Sequence, residues 1–381
     1  MHIVADENIL SIDSYFCHYG DLVALPGGEI KRHHLLHADA LIVRSITAVN
    51  AALLEGTTVK FVGSATSGID HVDLDYLAAQ NIKFVDAKGS NANAVVDYCF
   101  TVLAHLAVNR GRELDELEIG LIGAGNVGGL FHRKLAQLGF GCRVHDPYLE
   151  AEKGHTDFDF VTLDEALQAD IISLHVPFTK TGDYPSCRLL HAGNLEKLRQ
   201  DAVLINTARG GVVDSNDLLE FLLKRPDVRA HLDVWSHEPM PDSALVNIAE
   251  IATPHIAGYS VEAKNQATEK LAREFSHHFQ LKSPETFSMG DQLLKLNLDD
   301  HAVEGENKAW SCLLQALPLQ SLSEEFKNSG DGEKLAQKFA AMRRRLLHRR
   351  EFSGFEVGAD DLADEDKLLL HVMGMSLGTS K

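Results

Sequence analysis

The segment LEIGLIGAGNVG, residues 117–128, joins a short apolar run to a glycine-rich turn and the start of an amphipathic helical pattern. Gly123, Gly125 and Gly128 follow the spacing GxGxxG. The first permits a tight turn, the second lets a ligand approach the backbone, and the third lets the helix pack closely on the strand. Amides at the start of that helix would face an anion. The segment therefore predicts a strand, turn and helix that bind the pyrophosphate of a dinucleotide.

The next apolar run, CRVHDP at 142–147, ends in Asp146 at the distance expected for the second strand of such a unit. A carboxylate at this position accepts hydrogen bonds from both ribose hydroxyls and repels a 2′-phosphate. The sequence therefore predicts NAD, and not NADP, as the cofactor.

Strand-like and helix-like segments alternate on both sides of this unit. Five runs rich in Val, Ile and Phe occupy the first ninety residues, and six more strands alternate with helices between Glu118 and His255. This alternation is typical of parallel α/β sheets. We predict two doubly wound domains: a flavodoxin-like substrate or lid domain (1–90 and 258–286) and a Rossmann-like NAD domain (91–257). A long apolar helix over 91–109 is expected to connect them.

The composition changes near residue 287, and we predict a small α+β C-terminal domain over 287–381. A basic amphipathic helix is predicted over 333–348. Its apolar stripe at helical spacing consists of Leu335, Phe339, Met342 and Leu346. Arg349 and Arg350, which follow it, are interpreted as a solvated basic helix end.

The charge of the chain restricts its partners. The sequence has 36 Lys and Arg against 55 Asp and Glu, for a formal net charge of −19. Such a surface repels phosphate backbones and anionic membranes, so neither nucleic acid nor membrane is an expected partner. No apolar run approaches the length of a membrane span, and the N-terminus lacks the positive charge of a signal peptide, which predicts a cytoplasmic protein.

Cysteine and histidine are numerous enough to test for metal binding. The five cysteines are never spaced as CxxC, and the twenty histidines lack acidic or thiol partners at ligand spacing. We therefore predict reduced thiols and no metal site.

Three further motifs lie where later strands are predicted to end. They read NTARGGVVD at 206–214, DVWSHEP at 233–239 and TPHIAGYS at 253–260. Since ligands of open α/β sheets bind at the carboxyl ends of strands, these loops are expected at one crevice. Arg209 can hold a substrate carboxylate through two parallel hydrogen bonds. His255 can take a hydroxyl proton as hydride leaves the carbon, and Glu238 can orient the ring and stabilise its imidazolium form.

Together with GAGNVG, these motifs resemble the signatures of the D-2-hydroxyacid dehydrogenase superfamily. The resemblance covers most of residues 90–260 and implies that Arg209, Glu238 and His255 form the catalytic set. Besides the three glycines and Asp146, it implies NAD contacts from Asn126, Val127, Val176, Thr207, Ala208, Asp233 and Gly258.

Motifs in the first ninety residues and in the tail resemble one family of this superfamily, the erythronate-4-phosphate dehydrogenases. These motifs are ADENI, LIVRSIT, GSATSGIDHVDLD, GYS and RREF. The resemblance implies NAD-dependent oxidation of 4-phospho-D-erythronate to the 2-oxo acid in vitamin B6 biosynthesis, by a homodimer held through its tail. It also implies that Ser45, Thr66 and Tyr259 bind the substrate. The substrate phosphate needs cations or hydroxyls, and Arg44, at the end of the strand ALIV, is the best-placed cation.

Some positions depart from the expected pattern. Lys88 and Ser90 stand where a Pro and a Cys are expected, Val176 replaces a threonine that would bond NAD, and His237 replaces a glycine. Two alternatives stay open at this point. One is phosphoglycerate dehydrogenase or another D-2-hydroxyacid dehydrogenase, and the other is a non-enzymatic, NAD-sensing binding protein.

Overall fold

The structure is a computed structural model that describes residues 1–152, 157–285, 293–296, 307–358 and 362–378. Its strands are β1 (His2–Asp6), β2 (Asp21–Leu25), β3 (Ala40–Val43), β4 (Phe61–Ser64), β5 (Lys83–Asp86), β6 (Ile119–Ile122), β7 (Cys142–His145), β8 (Ile171–Leu174), β9 (Val203–Asn206), β10 (Arg229–Leu232), β11 (Ile251–Ala252), β12 (Leu294–Leu296), β13 (Phe355–Gly358) and β14 (Ser376–Gly378). Its α-helices are α1 (Ile12–Phe16), α2 (Arg32–Leu35), α3 (Ala51–Leu54), α4 (Leu74–Ala79), α5 (Ala92–Ala104), α6 (Asn126–Gln137), α7 (Pro147–Ala151), α8 (Leu163–Ala166), α9 (Ala192–Leu195), α10 (Ser215–Lys224), α11 (Ser243–Ile248), α12 (Val261–His278), α13 (Lys308–Ala316), α14 (Leu319–Lys327), α15 (Gly332–Arg345) and α16 (Asp364–Met373).

The chain divides into two compact units. The first consists of Met1–Asn91 and Ser260–Asp291, and the second of Ala92–Tyr259 and Gln292–Lys381. The part Gln292–Lys381 is called the C-terminal segment below. The domain boundaries given above, including the separate third domain, stay predictions.

The first unit is built on one parallel sheet with the strand order β2-β1-β3-β4-β5. This is the flavodoxin-like order predicted from the sequence. All four residues of β3 and of β4 are buried, as expected for central parallel strands that are covered on both faces. The long helix α12 returns to this unit, where Phe275 packs edge-to-face against Phe16 and Phe61 with ring centroids 5.4 and 5.5 Å apart.

The second unit contains a six-stranded parallel sheet in the order β11-β10-β9-β8-β6-β7. Beyond β7, Phe160 forms an isolated parallel bridge to Val144. This bridge stands in the place of a third strand, so the complete order is that of a Rossmann sheet. The helix α5 continues as a π-helical turn over His105–Asn109, which agrees with the long helix predicted there.

The C-terminal segment adds a three-stranded parallel sheet, β12-β13-β14, and four helices among its described residues. Three members of the predicted apolar stripe, Leu335, Phe339 and Met342, are buried in the same core as the six-stranded sheet. The predicted fold class is therefore confirmed. The solvated interpretation of Arg349 is wrong, because this residue is only 8% exposed.

No helix within the described residues is both long enough and apolar enough to cross a membrane.

Candidate active site

The predicted cofactor and catalytic residues of the second unit follow the carboxyl ends of its strands. The strand register pairs Ile122 with His145 and Leu174, and Asn206 with Leu174 and Leu232. These last residues of neighbouring strands thus form one row. The residues that come next in the chain, among them Gly123, Asp146, Thr207 and Asp233, are therefore placed along one edge of the sheet, as predicted.

The glycine-rich turn has the geometry that its three glycines suggest. Gly123 adopts φ +90°, a left-handed conformation that favours glycine. A side chain at Gly128 would collide with the carbonyl oxygen of Gly123, because α6 starts so close to β6. A side chain at Gly125 would instead point into open space. The second glycine therefore leaves room for a ligand, beside Asn126 and Val127 in the first turn of α6.

Asp146 lies next to this turn. Its Oδ2 accepts a hydrogen bond from the Ala124 N–H at 2.9 Å, and its Oδ1 caps α7 by accepting from the Leu149 N–H at 3.1 Å. The carboxylate is therefore held at the edge of the glycine turn, the position from which an acidic residue binds the ribose of a dinucleotide.

The loops after β8 and β9 border the same edge. The ring of His175 bonds Ser173 at 2.9 Å, and burial lowers its pKa to about 3, so this imidazole is neutral. Val176 packs beside Gly123. Thr207 Oγ1 is buried with no hydrogen-bond partner at normal geometry among the described residues, and the weakly polar Cys99 thiol lies beside it. A buried hydroxyl of this kind has an unused capacity to bind a polar ligand.

These observations fit a dinucleotide. The open space at Gly125, the charge of Asp146 and the buried hydroxyl of Thr207 lie along one sheet edge. The contacts predicted for Ala208 and Gly258, both next to these loops, stay predictions.

Arg209 begins a short turn directly after β9. Its Nη1 donates to the carbonyl oxygen of Ala208 at 2.8 Å, and Asn206 Nδ2 donates to the backbone carbonyl of Arg209 at 3.2 Å. The residue is half-buried, and within the described part of the chain its guanidinium forms no salt bridge. Its charge is therefore available for an anionic group of a substrate.

His255 and Glu238 form a close pair. The Nδ1 atom of His255 lies 2.6 Å from Glu238 Oε2, and the two side chains are 31% and 24% exposed. Burial by itself raises the pKa of Glu238, but its hydrogen bond with His255 and the positive charge of that ring lower the pKa overall. Glu238 is therefore ionised, and since Nδ1 is occupied by this pair, Nε2 is the nitrogen left to exchange a proton with a substrate.

The loop that carries His255 is fixed by Asp233. The carboxylate of Asp233 is fully buried and accepts hydrogen bonds from Thr253 Oγ1 and from the N–H groups of Ile256 and Ala257, at 2.7 to 2.8 Å. His255 itself adopts φ +54°, a left-handed conformation that is uncommon for residues other than glycine. The predicted NAD contact of Asp233 stays a prediction, whereas its structural role in this loop is evident.

A cation that the sequence did not indicate, Arg343, lies near the catalytic pair. Arg343 of α15 lies over the ring of Tyr259, with the guanidinium carbon 4.8 Å from the ring centroid. Its charge also contributes to the lowered pKa of Glu238. The available signal was its position one turn after Phe339, at the border of the apolar stripe.

The predicted substrate residues of the first unit follow β3 and β4. Arg44 forms a two-pronged ion pair with Asp6, with Nε–Oδ2 and Nη2–Oδ1 distances of 2.8 and 3.1 Å. Asp6 is fully buried, and the Arg44 side chain is 32% exposed. Much of the charge of Arg44 is therefore already compensated, which the sequence did not reveal.

Ser45 is exposed directly after this pair. Thr66 Oγ1 lies 2.9 Å from Ser64 Oγ and 3.1 Å from the carbonyl oxygen of Gly68. Its hydroxyl is thus oriented by the loop after β4. The substrate roles of Arg44, Ser45, Thr66 and Tyr259 stay predictions.

A comparison with known protein families agrees with the site described above. Residues 101–257 match the family described as "D-isomer specific 2-hydroxyacid dehydrogenase, NAD binding domain". The fold and site thus define an NAD-binding 2-hydroxyacid dehydrogenase, and NAD is the cofactor.

Curated relatives narrow the class. The chain is 38% identical to an erythronate-4-phosphate dehydrogenase from Pseudomonas syringae pv. syringae, over 99% of this chain and 100% of that protein. It is 45% identical to one from Hahella chejuensis, over 74% of this chain and 73% of that protein. The chain belongs to the erythronate-4-phosphate dehydrogenase family.

A solved structure supports the fold alone. The NAD+-bound 3-phosphoglycerate dehydrogenase of Entamoeba histolytica superposes with a TM-score of 0.61 at 24% identity, over 74% of this chain and 95% of that one. About a quarter of this chain thus lies outside that match, whereas the Pseudomonas relative aligns with nearly all of it.

Proposed function

We propose that this protein oxidises 4-phospho-D-erythronate to 3-hydroxy-2-oxo-4-phosphooxybutanoate with NAD, as a step of vitamin B6 biosynthesis. The observation that carries the proposal is the 2.6 Å pair of His255 and Glu238 at the sheet edge that also bears the glycine turn and Asp146. The relatives that share the whole length of the chain are named for this substrate.

The residues divide the chemistry between them. His255 Nε2 removes the proton of the substrate C2 hydroxyl, and Glu238 stabilises the resulting imidazolium through Nδ1. Arg209 holds the substrate carboxylate and so orients C2. When bound, NAD accepts the hydride that leaves C2, so that the products are the 2-oxo acid, NADH and one proton.

The phosphate at the other end of the substrate requires its own ligands. Ser45, Thr66 and Tyr259 are proposed to supply hydroxyl groups, and Arg44 to supply charge in spite of its pairing with Asp6. Arg343 is a second candidate cation, because its guanidinium lies beside Tyr259.

The protein is further proposed to act as a cytoplasmic homodimer. Within the described part of the C-terminal segment, Leu294, Leu368 and Leu377 are 45%, 46% and 41% exposed. Leu335, Phe339 and Met342 of the α15 stripe are buried within the chain itself, so a partner subunit would have to cover other apolar side chains such as these.

The direct test follows NADH absorbance while the full chain is mixed with NAD and 4-phosphoerythronate, with 3-phosphoglycerate and D-lactate as comparators. We expect efficient turnover of 4-phosphoerythronate, and a large loss in His255→Asn, about 10² to 10⁴ in rate, with NAD affinity retained. Preferred turnover of 3-phosphoglycerate would show that this acid, and not 4-phosphoerythronate, is the substrate. Tight NAD binding without any turnover would favour an NAD-sensing protein.

A further inference from the structure

Arg349 is a charged side chain with a buried position and a defined set of partners. It follows the 3-10 turn Leu346–His348 at the end of α15, and it is only 8% exposed. Its Nη1 donates to the carbonyl oxygens of Ile256 and Ala257, and its Nη2 to that of Ala94, each at 2.9 Å. A planar guanidinium can serve three acceptors in this way, which a single ammonium cannot reproduce at the same geometry.

The two loop carbonyl groups belong to Ile256 and Ala257, the residues that directly follow His255. The N–H groups of Ile256 and Ala257 point to the Asp233 carboxylate, and their carbonyl groups point to Arg349. The loop is therefore held between the buried Asp233 carboxyl group on its donor side and the buried Arg349 guanidinium on its acceptor side. Both groups bond to the peptide groups of the loop, which favours one backbone conformation over its alternatives.

That conformation determines where the imidazole lies. His255 has φ +54°, an uncommon state that persists only where the surroundings impose it. If the following carbonyls lost their donors, the loop could relax and the distance between His255 Nδ1 and Glu238 would change. Ala94, the third acceptor of Arg349, lies two residues after Ala92, where the second unit begins.

Buried carboxylates compensate the charge of Arg349. Asp97 and Glu351 are each 2% exposed, and both act on it electrostatically. Asp97 Oδ2 also accepts a hydrogen bond from the Phe352 N–H at 2.8 Å, which fixes the chain just after Arg349. The guanidinium is thus held by its own surroundings and is able to orient the loop.

We propose that Arg349 is a positioning residue for the His255–Glu238 pair, so that the C-terminal segment takes part in arranging the active site. The proposal rests on the proposed function in that it takes His255 as the acid and base. Arg349 itself contacts neither substrate nor cofactor in this proposal.

The test compares Arg349→Lys and Arg349→Met with Arg344→Met, a matched change at an exposed position of the preceding helix α15. We expect kcat to fall about tenfold to a hundredfold in Arg349→Met and less in Arg349→Lys, because small displacements of a catalytic group have effects of this size. The KM for NAD should change little. The pH dependence of kcat should shift in both variants and remain unchanged in Arg344→Met.

A second measurement separates positioning from folding and from the choice of substrate. The His255 ring signal, assigned by its loss in His255→Asn, is titrated by NMR in the full chain without substrate. A shifted titration in Arg349→Lys at an unchanged melting temperature would support positioning even if 4-phosphoerythronate were not turned over. Loss of melting temperature with unaltered His255 titration and unaltered kcat per folded protein would overturn the proposal.

Discussion

The pair of His255 and Glu238 gives the enzyme a defined pH response. The lowered pKa of Glu238 keeps its carboxylate ionised, and Glu238→Gln would remove this negative charge from beside the ring. In the oxidation direction the ring must be neutral to accept a proton. We therefore expect Glu238→Gln to move the acidic limb of kcat/KM to lower pH by about one unit, with a loss in rate of about 10².

The same pair contributes to stability with a definite sign. Because the pKa of Glu238 is lowered on folding, its carboxylate stabilises the protein at pH above the ordinary glutamate value, and this contribution is lost as the pH falls through the folded-state pKa. The difference in melting temperature between wild type and Glu238→Gln should thus shrink in acid. Glu220→Gln, at a 74% exposed position of α10, is the matched control. It should change neither the pH dependence of kcat/KM nor that of the melting temperature.

Arg44 has to be tested together with its partner. Arg44→Met should lower efficiency with 4-phosphoerythronate about tenfold to a hundredfold and leave erythronate nearly unaffected, if its guanidinium meets the phosphate. The same change leaves the fully buried Asp6 uncompensated and costs stability. The double variant Asp6→Asn/Arg44→Met removes that buried charge. If it regains stability and still discriminates fully between the two acids, Arg44 is structural, and Arg343→Met becomes the next variant to assay.

At the scale of elements, the sequence predicted those features that depend on local pattern. The strands, the glycine turn and the row of strand ends could be predicted because buried parallel strands are continuous apolar runs and their loops emerge at one edge. The pairing of Arg44 with Asp6 and the burial of Arg349 could not, because each joins residues far apart in the chain. Arg349 comes after the helical periodicity ends, so no pattern distinguished it from a solvated basic residue.

In the glycine turn, the same change of glycine to alanine is expected to affect NAD binding at one position and stability at another. Gly125→Ala places a methyl group in open space where a pyrophosphate would approach, so NAD affinity should fall about tenfold or more at an unchanged melting temperature. Gly128→Ala forces a methyl group against the Gly123 carbonyl oxygen and should destabilise the fold, since such overpacking costs about 1–3 kcal/mol or more. Calorimetry and thermal melts measure both effects.

Gly141→Ala is the control for the glycine pair, because its added methyl group also meets no neighbour and lies outside the turn. It should leave NAD affinity and melting temperature as in the wild type. Unchanged NAD affinity in Gly125→Ala would show that the pyrophosphate does not lie against this turn.

At the scale of the whole molecule, the C-terminal segment protects the edge of the nucleotide-binding sheet. β11 is an edge strand, and its Ala252 N–H donates to Ser323 Oγ of α14 at 2.9 Å. Lys327 of the same helix donates to the carbonyl oxygens of Ala249 and Glu250. Since an uncovered edge strand invites pairing with other chains, removal of the C-terminal segment should produce insoluble protein more readily than a stable monomer.

The predicted homodimer therefore needs a test that keeps the fold intact. Leu368→Glu combined with Leu377→Glu places two charges on exposed positions of the C-terminal segment, 46% and 41% exposed, and should convert the dimer to a monomer in light scattering without lowering the melting temperature of the subunit core. Leu223→Glu, at a 67% exposed leucine of α10, is the matched control and should remain dimeric. If the double variant stays a dimer, these leucines lie outside the contact between subunits. A wild-type chain that is monomeric at assay concentrations would refute the homodimer itself, and turnover measured on that monomer would show that one chain suffices for catalysis.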